Sequence, residues 1–149
     1  MRFEKQITIN APRETVWNFI WDVDRFIACV PGCKEAATVE NEKVYTATME
    51  EKIGPFRVKF PMKIEVQGSE APVAIKARAT GNDSKIGSLM KVDLDVNLEE
   101  QGPGTLLSMV VNVEILGKLA ALGHSMIKRK ADQVMAEFVD AIRKNLEQK

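Results

Sequence analysis

Residues that build disulfides, metal sites and membrane spans are scarce in this sequence. It contains two cysteines and one histidine, and Cys29 and Cys33 stand four apart beside Pro31-Gly32. Neither a disulfide framework nor a zinc site can be completed from this set, so we predict no metal and treat both cysteines as small packing residues. No apolar run approaches the ~18 to 20 residues of a membrane-spanning helix, and Met1-Arg2-Phe3-Glu4 does not open a signal peptide. The sequence therefore predicts a soluble, cytoplasmic protein.

Net charge is absent as well. Lys and Arg number 21, as do Asp and Glu, so the formal charge is zero. We therefore expect no nucleic-acid partner bound by bulk electrostatics. No phosphate loop, carboxylate pair or metal-ligand set is present, so we predict no cofactor and assign no catalytic residue. The length of 149 residues suits one domain of ~100 to 150 residues, and we expect residues 1–149 to form a single domain.

Most of the chain alternates between apolar and polar residues, which is typical of strands with one buried face. The alternation is plainest in residues 56–66, where every second residue is apolar. Pro61 falls on the polar phase and lacks an N–H, which predicts that this strand lies at an edge of the sheet or is bulged there. Short turns separate the later strands, so we expect an antiparallel meander. The predicted strands are 3–10, 35–40, 44–53, 56–66, 73–79, 90–98 and 105–115.

Three helices are predicted around these strands. The first runs from Pro12 to Trp21, and proline suits its first position. The second runs from Arg25 to Val30, with Asp24 as its cap, and ends at Pro31-Gly32. The third extends from Gly117 to Lys149, because apolar residues recur there at steps of three or four along one stripe. That stripe consists of Leu119, Gly123, Ile127, Ala131, Val134, Phe138, Ile142 and Leu146.

The order of elements predicts an α+β fold in which one long helix covers an antiparallel sheet of seven strands. The apolar phase of each strand faces the helix and the polar phase faces water. A twisted sheet of this size curls into an open half-barrel, which a single straight helix cannot fill. Large side chains or a ligand must occupy the remaining space, and antiparallel barrels commonly hold one small molecule in this way.

Four segments of the sequence carry a family resemblance. They are Asn10-Ala11-Pro12-Arg13-Glu14-Thr15-Val16-Trp17, Cys29-Val30-Pro31-Gly32-Cys33, Lys52-Ile53-Gly54-Pro55 and Leu116-Gly117-Lys118-Leu119-Ala120. Together they resemble the carbon monoxide dehydrogenase G-subunit family, which belongs to the START-like, Bet v 1-like (SRPBCC) helix-grip superfamily. That superfamily also includes polyketide cyclases and lipid-transfer domains. The resemblance extends over essentially the whole chain, and it implies a helix-grip fold with a cavity for hydrophobic ligands between the curved sheet and the C-terminal helix.

The same resemblance implies partners. Relatives of this kind are expected to act as accessories near a molybdenum hydroxylase such as carbon monoxide dehydrogenase, in a role that involves the membrane or its quinones. Some carry a tail beyond the final helix that could serve as an anchor, whereas this chain ends at Gln148-Lys149. We therefore expect no membrane attachment of its own, and we place the protein in the cytoplasm, with peripheral contact at the inner face of the membrane.

Methionines mark the expected cavity. Four of the seven fall on the inward phase of four different strands, and methionine repacks readily around irregular apolar shapes. Ordinary core filling is the alternative explanation. Gly123 costs ~1 kcal/mol relative to alanine within a helix, and we expect it, with Met126, to leave room over the widest part while Val134, Phe138 and Ile142 close the far end. The candidate cavity residues are Tyr45, Met49, Phe60, Met62, Met90, Leu94, Met109, Val111, Leu119, Gly123, Met126 and Ile127, with Trp21 and His124 at the rim.

Three function classes remain open. The leading hypothesis is a non-catalytic carrier for a hydrophobic small molecule, either a lipid or a quinone-like compound. A polyketide-cyclase-like enzyme would need polar groups, such as His124, Tyr45 and Lys5, to converge inside the cavity. His124 cannot act as the base for the neighbouring Ser125, because adjacent residues of a helix point in different directions. An assembly or membrane-recruitment scaffold would instead use the exposed helix side, with Lys128, Arg129 and Lys144 as its docking surface.

Overall fold

The computed structural model describes residues 1–147. Its elements follow the predicted order, and most strands are longer than the alternation alone indicates. The last two residues of the predicted C-terminal helix lie outside the described part. The elements are β1 (Arg2–Ile9), α1 (Arg13–Trp21), α2 (Val23–Ala28), β2 (Cys33–Glu40), β3 (Val44–Ile53), β4 (Phe56–Glu70), β5 (Ala74–Asp83), β6 (Ser88–Gln101), β7 (Gly104–Gly117), a 3₁₀ helix (Lys118–Leu122) and α3 (His124–Glu147).

The seven strands form one antiparallel sheet in the order β1-β7-β6-β5-β4-β3-β2. Strands β2 to β7 form a meander. The last strand, β7, also pairs with the first, β1, and Ile7 there lies opposite Leu107. The predicted α+β helix-grip fold, with two short helices after β1 and a long helix at the C-terminal end, is confirmed. Among residues 1–147, no helix is long and apolar enough to cross a bilayer.

The prediction for Pro61 was wrong. β4 lies between β3 and β5 rather than at an edge, and Pro61 stays in regular register opposite Thr48 of β3. The irregularity in β4 falls later, between Val66 and Gly68. The missing N–H is tolerated because the ladder between β4 and β5 ends at Met62, so Pro61 has no ladder bond to lose on that side.

The two short helices form a corner between β1 and β2. The hydroxyl of Thr105 donates a 2.7 Å hydrogen bond to the carbonyl of Ala11, which fixes the end of β1 to β7. α2 begins at Val23, two residues earlier than predicted, and its preceding residue is Asp22. Asp24 therefore lies inside the first turn, where its negative charge favours the helix N-terminus without capping it.

The long C-terminal helix is interrupted at Gly123, which corrects the prediction of one continuous helix. Gly123 has φ 92° and ψ 156°, a backbone conformation that is essentially restricted to glycine. The residues before it form the short 3₁₀ helix, which folds Leu119 into the core, and α3 then starts at His124. At ~1.5 Å per residue, the 24 residues of α3 extend about 36 Å across the sheet.

Two separate clusters of buried side chains hold the helices to the sheet. The larger joins β1, β6 and β7 to α1 and the second half of α3, and it includes Ile9, Leu98 and Ile142. The smaller lies at the other end, where Phe60 of β4 packs with Leu119 of the 3₁₀ helix. Packed side chains therefore close the concave face of the sheet at both ends. Between the two clusters lies the middle of the sheet.

Candidate ligand-binding cavity

The middle of the sheet is less well covered than its ends. On the inward face of β6, Met90 and Leu98 are 6% and 2% exposed, whereas Val92 and Leu94 between them are half-buried. These four residues share one face of one strand, because side chains alternate across a strand. Partly buried apolar residues between fully buried ones indicate that space, rather than protein, lies over the centre of the strand.

That space is a cavity of about 320 Å³ between the sheet, α2 and α3. Its volume falls at the lower end of the ~300 to 1,000 Å³ range of small-molecule sites. The walls are almost entirely apolar, with Val, Ile, Leu, Met, Ala and Phe side chains from all three sides. Such walls cannot compensate a buried charge, so the cavity suits an uncharged hydrophobic group.

The structure brings together most of the predicted site. Eight of the candidates, and Trp21 as the predicted rim residue, line the cavity. The four strand methionines are among them, spread over β3, β4, β6 and β7 as the alternation predicts. Ligand binding by these residues stays a prediction. The eight residues are Tyr45, Met49, Met62, Met90, Leu94, Met109, Val111 and Ile127.

Five predicted residues lie away from the cavity. Phe60 and Leu119 are fully buried in the smaller cluster, where they close the end of the sheet. A side chain at Gly123 would meet open space, and His124 beside it is exposed. Met126 is 38% exposed and covers Gly54 of the turn between β3 and β4. The 3₁₀ helix displaces this segment from the concave face, so the predicted widest part is in fact the closed end.

The cavity extends instead along the second half of the α3 stripe. Val134 and Phe138, which we expected to close the far end, line the cavity wall. The ring of Phe138 meets that of Phe26 from α2 edge-on, with centroids 5.5 Å apart. Ile142, one turn further on, is 1% exposed and does pack into the larger cluster.

The contribution of α2 is missing from the predicted site. Val23, Phe26 and Ile27 of α2 line the cavity, and so does Val30 just after the helix, which makes this short helix one of its walls. The signal is present in the sequence, because residues at i, i+3, i+4 and i+7 share one face of a helix. Cys33, which follows at the start of β2, lines the cavity as well.

One charged side chain faces the cavity among the described residues, and it was not predicted. Lys130 of α3 is a wall residue, and its ammonium lies 2.8 Å from the carboxylate of Glu51. Glu51 lies on β3 at the alternate position between Met49 and Ile53, which both line the cavity. The carboxylate of Glu51 thus contacts Lys130. The Glu51 side chain is 17% exposed and the Lys130 side chain is 21% exposed.

The other polar groups of the wall are poorly suited to catalysis. Burial, with a smaller effect from the charge of Glu51, raises the pKa of the Cys33 thiol to about 11, so the thiol stays protonated and weakly nucleophilic at neutral pH. The hydroxyl of Tyr45 accepts a 2.7 Å hydrogen bond from the Glu42 N–H. Lys5 is exposed on β1. In residues 1–147, no group of three or more His, Cys, Asp or Glu side chains could hold a metal ion.

A family model for the carbon monoxide dehydrogenase G-subunit (CoxG) matches residues 6–147. The chain belongs to this family. The match includes every helix and nearly all of the sheet, and therefore all but one of the cavity-lining residues. No curated protein sequence matches the chain.

Solved structures with the same fold are numerous and distant in sequence. A conserved protein from Geobacillus kaustophilus is 23% identical, with a TM-score of 0.87 over 99% of this chain and 95% of its own. A START superfamily protein from Mycobacterium smegmatis is 15% identical, with a TM-score of 0.70 over 99% and 97%. The Zhui aromatase/cyclase from Streptomyces sp. R1128 is 12% identical, with a TM-score of 0.67 over 99% and 93%. At these identities the likenesses establish the START-like fold alone.

Proposed function

We propose that this CoxG family protein is a non-catalytic carrier that binds one hydrophobic small molecule, a lipid or a quinone-like compound, in the cavity under α3. The observation that supports the proposal most strongly is that Val92 and Leu94, in the middle of β6, are only partly buried although they lie between buried residues of the same face. Burial of apolar surface stabilises a protein by ~25 cal/mol for each Å², and the uncovered parts of these residues lack that stabilisation. A bound apolar molecule recovers that stabilisation.

A cyclase-like enzyme is the alternative, and the wall chemistry argues against it. General acid and base groups must lie within hydrogen-bonding reach of a substrate. His124 and Lys5 are exposed outside the cavity, and the hydroxyl of Tyr45 is already engaged by Glu42. Lys130 is paired with Glu51. Binding without chemistry therefore accounts better for the walls than catalysis does.

Titration of the delipidated protein with N-phenylnaphthylamine, an uncharged probe that fluoresces in apolar sites, tests the carrier proposal. Ala131 lines the cavity from α3, so Ala131→Phe should fill part of it and weaken probe binding by about tenfold, which is about 1.4 kcal/mol. Ala136 is exposed on the same helix, and Ala136→Phe is the matched control. Equal binding by both variants, or no probe binding by the wild type, would exclude a ligand cavity here.

We further propose that the carrier serves a molybdenum hydroxylase such as carbon monoxide dehydrogenase, since the chain belongs to a family named for a component of that enzyme. Co-expression of the chain with the subunits of such an enzyme, followed by affinity purification through the chain, would detect the complex. Failure to associate, with and without membranes, would remove this partner while leaving the cavity proposal intact.

Recruitment through the exposed side of α3 is a second candidate function, and the ion pairs of that side favour it. Lys128 pairs with Asp132, and Lys144 pairs with Asp140. In each pair the partners are four residues apart, and all four side chains are well exposed. Exposed pairs of this kind contribute only ~0.3 to 0.5 kcal/mol, so a partner or a peripheral membrane contact could replace them. Reversing the charges of Lys128, Arg129 and Lys144 together should then abolish pull-down or liposome binding, whereas unchanged association would exclude this surface.

A further inference from the structure

Three chain segments meet at the end of the sheet that the smaller cluster closes, and we call this end the tip. The segments are residues 52–57 at the turn between β3 and β4, residues 84–87 at the turn between β5 and β6, and residues 116–126 around the 3₁₀ helix. The Lys118 N–H donates a 3.2 Å hydrogen bond to the Gly87 carbonyl. A side chain at Gly54 would touch Leu122 and Met126. The three segments therefore form one connected part of the surface.

The tip carries four cationic side chains and no Asp or Glu. All four are exposed, and none of them forms an ion pair within residues 1–147. The carboxylates that immediately flank the tip in sequence are engaged. Glu51 binds Lys130, and the buried Asp83 accepts the backbone N–H groups of Lys59 and Lys85. The four cations are Lys52, Arg57, Lys85 and Lys118.

The arrangement of these charges favours a negatively charged partner. Lys52 lies directly opposite Arg57 in the ladder between β3 and β4, where like charges destabilise a sheet. An anion at the tip removes that repulsion. At the other end of the strands, the segments 40–43, 70–73 and 99–103 contain five Glu and one Lys. Charge is thus separated along the strands, which turns the tip toward a negative surface.

Exposed apolar side chains accompany the cations. Leu116 is 45% exposed and Met126 is 38% exposed, and both belong to the tip. Among residues 1–147, the other large apolar side chain with such exposure is Val39 of β2. Binding to an anionic lipid surface combines burial of apolar side chains in the interfacial layer with attraction of Lys and Arg to the lipid phosphates. The tip offers both contributions on one surface.

We propose that the tip is a docking surface for an anionic membrane. Leu116 and Met126 enter the interfacial layer of the bilayer, and the four cations contact the lipid phosphates. An acidic protein would complement the cations, but a lipid surface also covers the two apolar side chains, whose exposure has no other explanation in the fold. The inference does not depend on the proposed carrier function, because none of its residues needs to bind the carried molecule.

Two further observations support the tip over the exposed side of α3. Lys128 and Lys144 are already paired with carboxylates of their own helix, whereas the tip cations have no such partners. Ile53, Ile115 and Ile127, which lie in or next to the tip segments, line the cavity. Docking through the tip therefore brings the cavity to the membrane.

Flotation with lipid vesicles tests the proposal on the wild-type protein. One set of vesicles consists of phosphatidylcholine, and in the other about one third of the lipid is phosphatidylglycerol. We expect binding to the anionic vesicles to be about tenfold tighter or more, and to be lost in about 1 M NaCl, where the screening length falls to ~3 Å. Absent binding, or equal binding to both sets, would overturn the proposal.

Charge variants locate the surface. Arg57→Gln combined with Lys118→Gln should weaken binding to the anionic vesicles about 20-fold, since each Lys or Arg at such a surface contributes about fivefold. Lys63→Gln combined with Lys91→Gln is the matched control, because it removes the same charge from exposed residues of the sheet outside the tip. The control should change binding less than about twofold. Equal weakening by both pairs would reduce the effect to net charge and overturn the tip as the docking surface.

Apolar variants test insertion. Leu116→Ser combined with Met126→Ser should weaken vesicle binding about tenfold, whereas Val39→Ser, an equally exposed control outside the tip, should leave it unchanged. Cooperative urea unfolding shows that each variant is folded. Full binding by both tip variants, together with lost binding when the charges of Lys128 and Lys144 are reversed, would place the membrane contact on α3 and refute the assignment.

Discussion

Replacing Leu94 by alanine should destabilise the protein much less than replacing Leu98, although both leucines lie on the inward face of β6. Leu98 is 2% exposed, so its removal leaves a new void and should cost about 3 to 4 kcal/mol, within the ~2 to 5 kcal/mol known for such changes. Leu94 is half-buried against the cavity, so its removal enlarges an existing space. Full burial of a leucine contributes ~1.5 to 3 kcal/mol, so the loss at this partly buried residue should be smaller, about 1 kcal/mol.

Urea unfolding of the two variants and the wild type measures this difference. At ~1 to 3 kcal/mol per molar urea, a gap of about 2 to 3 kcal/mol separates the two midpoints by about 1 M or more. The same replacement in the same strand cancels differences in strand propensity. Saturation with dodecanol should raise the wild-type midpoint, and should raise that of Leu94→Ala less. Equal, large losses in both variants would mean that side chains fill the cavity in solution and would refute the reasoning.

Three other substitutions or reactions probe the ends and the wall of the cavity. Gly123→Phe should lower the free energy of unfolding by ~1 to 3 kcal/mol, because phenylalanine does not readily adopt the backbone conformation of Gly123. It should leave probe binding unchanged, because a side chain at this position meets open space. Loss of probe binding would show that the 3₁₀ helix covers the cavity. Phe138→Ala should cost ~3 to 5 kcal/mol in urea unfolding, since its ring is buried against Phe26, and a loss below about 1 kcal/mol would contradict that packing. The rate of Cys33 alkylation by iodoacetamide should rise with pH up to about pH 11, the pKa of the buried thiol. Glu51→Gln should lower the pH at which the rate levels off, because the charge of Glu51 helps to raise this pKa. A rate that levels off near the ordinary thiol pKa would contradict the burial of Cys33.

The sequence predicts the faces of the strands more reliably than positions along them. Alternation decides which side chains point inward, so it correctly places Met62 and Leu94 on the cavity side. It carries no information about where the curved sheet comes close to a covering helix. Phe60, one inward position from Met62, is therefore indistinguishable from a cavity residue by pattern, although it lies in the packed cluster at the end of the sheet.

The helices show the same limit. Apolar spacing of three to four residues continues through Gly123, so the pattern predicts one helix, whereas the backbone turns there and moves Leu119 and Met126 away from the cavity. Lys130 is absent from the predicted site because charged residues are normally assigned to the solvent side. Its position three residues after Ile127 nevertheless places it on the same helix face, and the partner on β3 could only be identified from the structure.

The most direct test of the central claim, a cavity that carries one apolar molecule, is the mass of the native protein before and after denaturing extraction. Native mass spectrometry of wild-type protein purified without detergent should show a bound apolar compound at a ratio of one to one. The compound should be released by denaturation and largely absent from Ala131→Phe, but retained by Ala136→Phe. A wild-type protein that carries nothing, and that takes up no apolar compound after delipidation, would contradict the account.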